Sequence, residues 1–297
     1  MQLVTFSHDA RVRLGALADQ GASIVDLAAA DPALPADMLG FIAAGRPALD
    51  AARKAVDGGR HRLRAAACAL LAPIPRPARN IFCVGKNYHD HAREFARSGF
   101  DASNAGGAEV PTDAVIFTKP PSCVIAPGAA IPGHLDPTSS VDYEGELAVV
   151  IGPGGRRIAK ADAFKHVWGY TIVNDVTARE LQSRHKQWFL GKSLDGFCPM
   201  GPTLVTADDV PDVTKLRLIT KVNGEPRQDA PVADLIFDIP SLIETLSVGI
   251  TLEPGDIIAT GTPAGVGIGF KPPRYLKAGD KVAITIEPIG TLENPVD

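Results

Sequence analysis

Short apolar runs rich in Val and Ile, separated by Gly and Pro, dominate the chain after about residue 77, and this pattern constrains the fold most strongly. Runs of about four to eight such residues between turn residues are typical of β-strands. Helical stretches in this part are few and short. The clearest runs are Ile81–Val84, Glu146–Ile151, Tyr170–Val173, Ile257–Thr260 and Val282–Ile286. We therefore expect an α+β protein that is mainly β, with helices at its periphery.

A proline-rich stretch, Pro73-Ile74-Pro75-Arg76-Pro77, divides the chain into two unequal parts. Three prolines within five residues favour extended backbone and indicate a boundary. Before it, short apolar runs alternate with a helical stretch from Pro47 to Val56, which Gly58 and Gly59 would stop. We predict a small α/β amino-terminal domain, residues 1–73, and a larger domain, residues 78–297.

Composition excludes several classes of function. The chain of 297 residues is 45% hydrophobic and 22% charged, which is typical of a folded globular protein. Its net charge is −4 and its basic residues are scattered, so we predict no nucleic-acid partner. The longest apolar stretch, Ala65 to Ile74, is about half of the roughly 20 residues that a membrane span needs. Because Met1 to Arg13 also lacks a secretory signal pattern, we expect a cytoplasmic protein without membrane contact.

Two glutamates, Glu144 and Glu146, stand two residues apart at the start of a predicted strand, so their side chains point to one face. Neighbouring buried carboxylates repel each other unless a proton or a cation lies between them. Taken alone, such a pair is more often two solvated side chains at a strand edge. Asp175 ends another predicted strand, where it could cap a helix from Thr177 to about Arg184 or bind a metal. Carboxylates without His or Cys suit Mg²⁺ or Mn²⁺ better than zinc.

Two further segments are rich in glycine or poor in apolar residues. The stretch Gly261–Gly269 looks like a phosphate-binding loop, but it lacks the Lys-Ser/Thr pair, and Pro272-Pro273 prevents a following helix. We therefore predict no nucleotide site there. Residues 98–113 contain almost no apolar side chain, which favours a long loop that could act as a lid.

Five motifs occur in the order and spacing typical of the fumarylacetoacetate hydrolase family. They are CVGKNYHDHARE (83–94), DYEGEL (142–147), NDVTARELQ (174–182), GKSLDGFCPMGP (191–202) and GTPAGVG (261–267). The resemblance covers roughly residue 78 to the end of the chain. Residues 1–73 resemble the variable amino-terminal domain of longer bacterial members.

The resemblance implies a mixed β-barrel-like roll, a homodimer, and one Mg²⁺ or Mn²⁺ ion in a cleft. The residues it implies are the metal ligands Glu144, Glu146 and Asp175, the substrate-facing Lys192, the substrate contacts Arg179, Gln182 and Thr262, and a water-activating dyad of His91 and Glu94. The two dyad residues are three apart, which makes them neighbours on one short helix.

In this family a 2-oxo acid binds the ion, and the reaction passes through an enolate. Because the dyad is intact, we predict hydrolysis of a C–C bond in a small 2,4-dioxo acid of the acylpyruvate or fumarylacetoacetate type. We expect this reaction to serve the catabolism of aromatic compounds or sugar acids. A decarboxylase, isomerase or hydratase acting on a related 2-oxo or 2-hydroxymuconate-type diacid is the alternative. A non-enzymatic protein that binds metal and dicarboxylate is the alternative from another class.

Overall fold

The computed structural model describes residues 1–100 and 110–297. Its α-helices are α1 Leu27–Ala30, α2 Met38–Asp57, α3 His89–Arg97, α4 Arg179–Arg184, α5 Phe189–Lys192 and α6 Ile239–Ser247. The first strands are β1 Gln2–His8, β2 Arg11–Ala18, β3 Ser23–Asp26, β4 Arg62–Arg64, β5 Ala69–Leu70, β6 Ile81–Gly85, β7 Val115–Lys119, β8 Val124–Ile125 and β9 Val141–Asp142. The others are β10 Gly145–Ile151, β11 Val167–Asn174, β12 Thr177–Ala178, β13 Cys198–Thr206, β14 Arg217–Val222, β15 Glu225–Pro231, β16 Ile257–Ala259, β17 Lys281–Ile286 and β18 Gly290–Pro295.

A large mixed sheet organises the protein. Its strand order is β4-β3-β2-β1-β13-β11-β10-β16-β6-β7, with β5 beside β1 and β8 beside β13. Most pairs are antiparallel, but β6 pairs with β16, and β8 with β13, in parallel. A four-stranded sheet, β15-β14-β17-β18, and a two-stranded ribbon, β12-β9, complete the strands. The predicted α+β, mainly β class is confirmed.

The five strands predicted from apolar runs are all present, with ends that differ by up to three residues. The predicted helix from Pro47 to Val56 lies inside α2, which begins earlier, at Met38. Asp37 explains the earlier start, because its side chain accepts a hydrogen bond from the amide of Gly40 and caps the helix. Gly45 interrupts α2 with a φ of 67°, a conformation that glycine adopts without strain.

The central strand β10 is buried on both faces and separates two apolar cores. Leu147 and Val149 contribute to the core that the large sheet shares with the four-stranded sheet. Ala148 and Val150 contribute to the core on the opposite face, which also contains side chains of β1 and α2. Two-sided burial explains why the sequence of β10 is a continuous apolar run instead of an alternating one.

The amino-terminal residues share this sheet and this second core. Strand β1 pairs with β13, where Leu3 lies opposite Leu204. Phe41 of α2 packs edge-on against Trp168 of β11, with ring centroids 5.9 Å apart. Three expectations stay predictions, namely the division into domains at residues 73 and 78, the homodimer and the cytoplasmic location. Within the two described ranges, no helix is both long and apolar enough to span a membrane.

The pairing of β1 with β13 leads to a prediction about cooperativity. Leu3→Ala should lower the free energy of unfolding by about 2–5 kcal/mol, since it removes a fully buried side chain from the shared core. Calorimetry should show one unfolding transition that moves as a whole to lower temperature.

The control is Val12→Ala on neighbouring β2, where the side chain is 64% exposed, and its effect should stay within about 0.5 kcal/mol. Two separate transitions, of which Leu3→Ala shifts only one, would show that residues 1–73 unfold independently of the rest.

Candidate active site

The register of β10 and β11 brings the three predicted carboxylates together. Gly145 lies opposite Asn174, so Glu144 and Asp175 flank this pair at the ends of the two strands. The backbone amide of Asp175 donates a hydrogen bond of 2.8 Å to the carbonyl of Glu144. One carboxylate oxygen from each of Glu144, Glu146 and Asp175 lies within 4.8 Å of the others, and all three side chains are buried.

Basic side chains surround the carboxylates. Lys192 Nζ donates hydrogen bonds of 2.7 Å to Glu144 Oε2 and 2.7 Å to Asp175 Oδ2. Arg179 Nη1 lies 2.7 Å from Glu144 Oε1. Lys119, which the sequence analysis did not single out, lies with its Nζ 2.9 Å from Asp175 Oδ1. The local charge is therefore partly balanced by the protein itself.

The two glutamates have opposite pKa shifts. Burial would raise the pKa of Glu144, but Lys192 and Arg179 outweigh burial and lower it to about 2. Burial, with the charges of Asp175 and Glu144, raises the pKa of Glu146 well above its usual range. Without a further cation, Glu146 is therefore the glutamate of the two that keeps its proton to the higher pH.

A divalent cation fits this site. The Lys119 ammonium has three N–H donors, and they point to the carbonyls of Val176, Lys192 and Phe197. Its contact with Asp175 Oδ1 is therefore an ion pair without a hydrogen bond, and this buried oxygen receives no donor from the described residues. An oxygen atom without a hydrogen bond beside two further carboxylates is the environment that Mg²⁺ or Mn²⁺ prefers.

The dyad residues are neighbours on helix α3, as their spacing predicted. His91 Nδ1 lies 3.2 Å from Glu94 Oε2, and the amide of Gly265 donates to Glu94 Oε1 at 3.0 Å. Because an ionised carboxylate only accepts hydrogen bonds, we assign the ring proton to Nδ1, which leaves Nε2 of the neutral ring able to take up a proton. His91 and the glutamates Glu144 and Glu146 line the same pocket.

Arg179 and Gln182 lie in this pocket and contact each other. Arg179 Nε donates to Asp142 Oδ2 at 2.9 Å, and Arg179 Nη1 donates to Gln182 Oε1 at 3.3 Å. Arg179 Nη2 is buried, and no acceptor for it occurs in the described part of the chain. A buried guanidinium donor without a partner is suited to a ligand carboxylate. This geometry agrees with the substrate contact predicted for Arg179, while its role stays a prediction.

Thr262 also lines the pocket, but its hydroxyl already has two protein partners. Thr262 Oγ1 donates to the carbonyl of Gly145 at 2.9 Å and accepts from Gln228 Nε2 at 2.7 Å. These bonds tie Thr262 to the start of β10. For the hydroxyl to donate to a substrate, it would have to give up its hydrogen bond to the carbonyl of Gly145, and the substrate contact of Thr262 stays a prediction.

The pocket is small, and most of the lining side chains that remain to be described are apolar. Its cavity volume is about 10 Å³, roughly the space that one water molecule needs and far below the roughly 300–1,000 Å³ of pockets that hold drug-sized ligands. Besides the residues discussed above, its lining consists of Val84, Gly85, Lys86, Phe95 and Trp188. All of its lining residues lie between 84 and 262, so residues 1–73 contribute nothing to it. Most of the predicted lid, residues 101–109, lies outside the described residues.

Two sequence-based interpretations are corrected. Helix α4 begins at Arg179 and not at Thr177, because Thr177 pairs with Asp142 in the ribbon β12-β9. Its N-cap is Ala178, so Asp175 does not cap it.

Asp142, the partner of Arg179, was missed although it begins the DYEGEL motif. Its position two residues before Glu144 was the signal that could have identified it.

The fold and the site together define a sheet-dominated α+β protein with a buried cluster of three carboxylates that could hold a metal ion. The chain belongs to the fumarylacetoacetate hydrolase family, since residues 80–297 match the family model for the Fumarylacetoacetate (FAA) hydrolase C-terminal region. The predicted family is confirmed.

Relatives with known names are enzymes of several kinds. The chain is 52% identical over 257 residues to the oxaloacetate tautomerase YisK of Bacillus subtilis (strain 168), covering 86% of this chain and 82% of the relative. It is 41% identical over 300 residues to the mitochondrial oxaloacetate tautomerase fahd2 of Xenopus laevis, covering 100% of this chain and 90% of the relative. The maleylpyruvate hydrolase of Sphingobium sp. SYK-6, solved with manganese(II) and pyruvate, matches with a TM-score of 0.80 and 33% identity, covering 100% and 98%.

The raised pKa of Glu146 predicts that metal binding is coupled to proton release. Because burial and the neighbouring charges favour the protonated form of Glu146 when no cation is bound, Mg²⁺ binding should release protons, and the Mg²⁺ affinity should fall as the pH falls. Titration calorimetry in two buffers of different ionisation enthalpy measures both quantities. Glu146→Gln should remove the proton release and weaken binding at least about tenfold.

The matched control is Glu180→Gln, which changes an exposed glutamate nearby in helix α4. It should keep the affinity and the proton release of the unaltered protein. Equal Mg²⁺ affinity in the two variants would contradict the assignment of Glu146 as a ligand.

Proposed function

We propose that the protein is a divalent-metal-dependent tautomerase that interconverts the enol and keto forms of oxaloacetate or a closely similar small 2-oxo diacid. The observation that carries this proposal is the 52% identity with an oxaloacetate tautomerase over 86% of the chain. A second tautomerase, 41% identical, aligns with the whole chain. The isomerase alternative of the sequence analysis is therefore favoured over hydrolysis.

The charges at the pocket support a small substrate that carries carboxylates. The buried donor of Arg179 at Nη2 and the ammonium group of Lys192 give the substrate's carboxylates cationic partners. Gln182, held by Arg179, adds an amide to the same wall.

The metal ligands proposed are Glu144, Glu146 and Asp175, with Mg²⁺ or Mn²⁺ as the ion. An ion held there would supply Lewis acidity for the 2-oxo group of the substrate. Lys192, which contacts Glu144 and Asp175, lies where it can stabilise negative charge on the same substrate oxygen.

The proposed reaction moves one proton and needs no further reactant. The enol O–H gives up its proton, the electrons of the C2–C3 double bond form a new C–H bond at C3, and the C2–O bond becomes a carbonyl. His91 Nε2 takes the proton from the enol oxygen and returns a proton to C3. Glu94 accepts from Nδ1 and so keeps the ring in the tautomer that can do this.

Hydrolysis of an acylpyruvate is the second candidate, because the same pair could deprotonate a water molecule. The similarity to the maleylpyruvate hydrolase, at 33% identity, supports it. The two reactions share the ion, the cations and the base. They differ in whether water reaches a substrate carbonyl.

The proposal is tested with a pair of histidine variants. The Mg²⁺-loaded protein should accelerate the decay of enol-oxaloacetate absorbance, and chelation with EDTA should abolish the acceleration until Mg²⁺ is restored. His91→Ala should lower kcat about 10²–10⁴-fold, the usual contribution of a general acid–base group, while oxalate affinity stays nearly unchanged. His89→Ala changes an exposed histidine on the same helix and should leave kcat within about twofold.

Product analysis separates the two candidate functions. If the protein releases pyruvate and a carboxylic acid from acylpyruvates but does not speed up ketonisation of oxaloacetate, it is a hydrolase and the tautomerase proposal fails. Equal kcat values for His91→Ala and His89→Ala would remove His91 from either mechanism.

A further inference from the structure

The glycine-rich segment that first resembled a phosphate-binding loop holds carboxylates with its backbone amides instead. The amide of Gly261 donates to Glu146 Oε2 at 2.9 Å, and the amide of Gly265 donates to Glu94 Oε1 at 3.0 Å. The amides of Gly267 and Ile268 donate to the two oxygens of Asp142 at 2.7 and 2.9 Å. One short segment therefore fixes a proposed metal ligand, the partner of His91 and the partner of Arg179.

The last glycine of this segment, Gly269, lies against Glu94 without a hydrogen bond between them. A Cβ atom built at Gly269 would lie 2.0 Å from Glu94 Oε1 and 2.3 Å from its Cδ, closer than atoms can approach. The φ angle of Gly269 is outside the left-handed region, so the backbone itself would accept alanine. Glycine is required at position 269 because the Glu94 carboxylate leaves no space for a Cβ atom, and not because the backbone conformation excludes other residues.

We propose that Gly269 is a positioning residue for the His91–Glu94 pair, because the space left by its missing side chain is where the Glu94 carboxylate lies. The inference rests on the proposed function in one respect, namely that this pair carries the proton. Glu94 meets the Nδ1 atom of His91 at 3.2 Å, so displacement of the carboxylate frees that nitrogen. The ring then loses the contact that selects its tautomer and its orientation.

Alanine at position 269 should move Glu94 and leave the fold intact. The Glu94 side chain is 17% exposed and lines a surface cavity to which His91 does not contribute. Arg93 and Lys271 line that cavity together with Asp90, so a displaced carboxylate meets water and more positive than negative side chains there. Rotation of a flexible side chain towards such a cavity costs little folding free energy.

The other glycines of the segment are less suitable for this test. A Cβ atom at Gly265 would lie 1.9 Å from the carbonyl oxygen of Arg227, and at Gly267 2.5 Å from that of Arg274. Both contacts are with backbone, and Gly265 also has a φ of 102°. Substitutions there would distort the segment itself, whereas at Gly269 the nearest atoms all belong to the side chain of Glu94.

The first experiment detects the tautomer of His91 and needs no substrate. Histidine labelled with ¹⁵N in the Mg²⁺-loaded protein should show His91 protonated at Nδ1 and not at Nε2, with the signal assigned by its loss in His91→Gln. In Gly269→Ala this signature should be lost, since Glu94 no longer accepts from Nδ1. Gly249→Ala, where a Cβ atom meets nothing within 4 Å, should leave it unchanged.

The second experiment measures whether Gly269 acts through Glu94. Gly269→Ala should lower kcat for ketonisation about 10–100-fold with little change in KM, because a displacement of about 1 Å in a catalytic group can cost about that much. In the background of Glu94→Ala, the same glycine substitution should cause no further loss, because the carboxylate it displaces is gone. Such non-additivity identifies a direct coupling between the two positions.

The outcomes separate this inference from the proposed function. If Gly269→Ala keeps the ¹⁵N signature of His91, the positioning role is wrong. It is also wrong if kcat of the double variant falls by the product of the two single-variant losses, because the two positions would then act independently. If the signature changes as expected but the unaltered protein does not accelerate ketonisation, the positioning role stands and the tautomerase proposal fails.

Discussion

Three carboxylates buried within 4.8 Å of one another are the constraint around which the rest of the site is built. In a medium of low dielectric their repulsion would cost several kcal/mol without compensation, so each needs a cation, a proton or a strong donor. The chain supplies these from distant positions. Lys192 ends helix α5, Lys119 ends β7, and the amide of Gly261 follows β16.

This compensation is uneven, and the unevenness has a chemical consequence. Glu144 forms ion pairs with both Lys192 and Arg179, whereas Glu146 has a backbone amide and the charge of Lys192, which burial and the repulsion of Asp175 and Glu144 outweigh. The negative charge of Glu146 is therefore the less compensated of the two. A divalent cation would supply the missing positive charge. Part of the free-energy cost of burying the carboxylates would then be recovered when the ion binds.

Sequence reasoning succeeded where a signal was local and failed where it depended on register. Strand β10 and its two glutamates were predictable because an apolar run and a spacing of two lie within one segment. Lys119 was not, because a lone lysine at the end of a strand has no sequence feature that distinguishes it from an exposed one. The shift of the α4 start to Arg179 depended on the pairing of Thr177 with Asp142, 35 positions earlier, which no local pattern encodes.

Access of water is the physical difference between the two candidate reactions, and the aromatic wall of the pocket bears on it. Trp188 packs edge-on against Phe95 and Phe117, with centroid distances of 5.9 and 5.3 Å. A Cβ atom at Gly85 would lie 2.2 Å from the Trp188 ring, so glycine there lets the indole approach the pocket closely. Phe95 is the member of this wall in ring contact with His91, with centroids 6.2 Å apart, and its apolar ring offers an ordered water no hydrogen bond. We therefore propose that the same base would serve tautomerisation in a pocket closed to water and hydrolysis in a pocket that admits one water molecule within its reach.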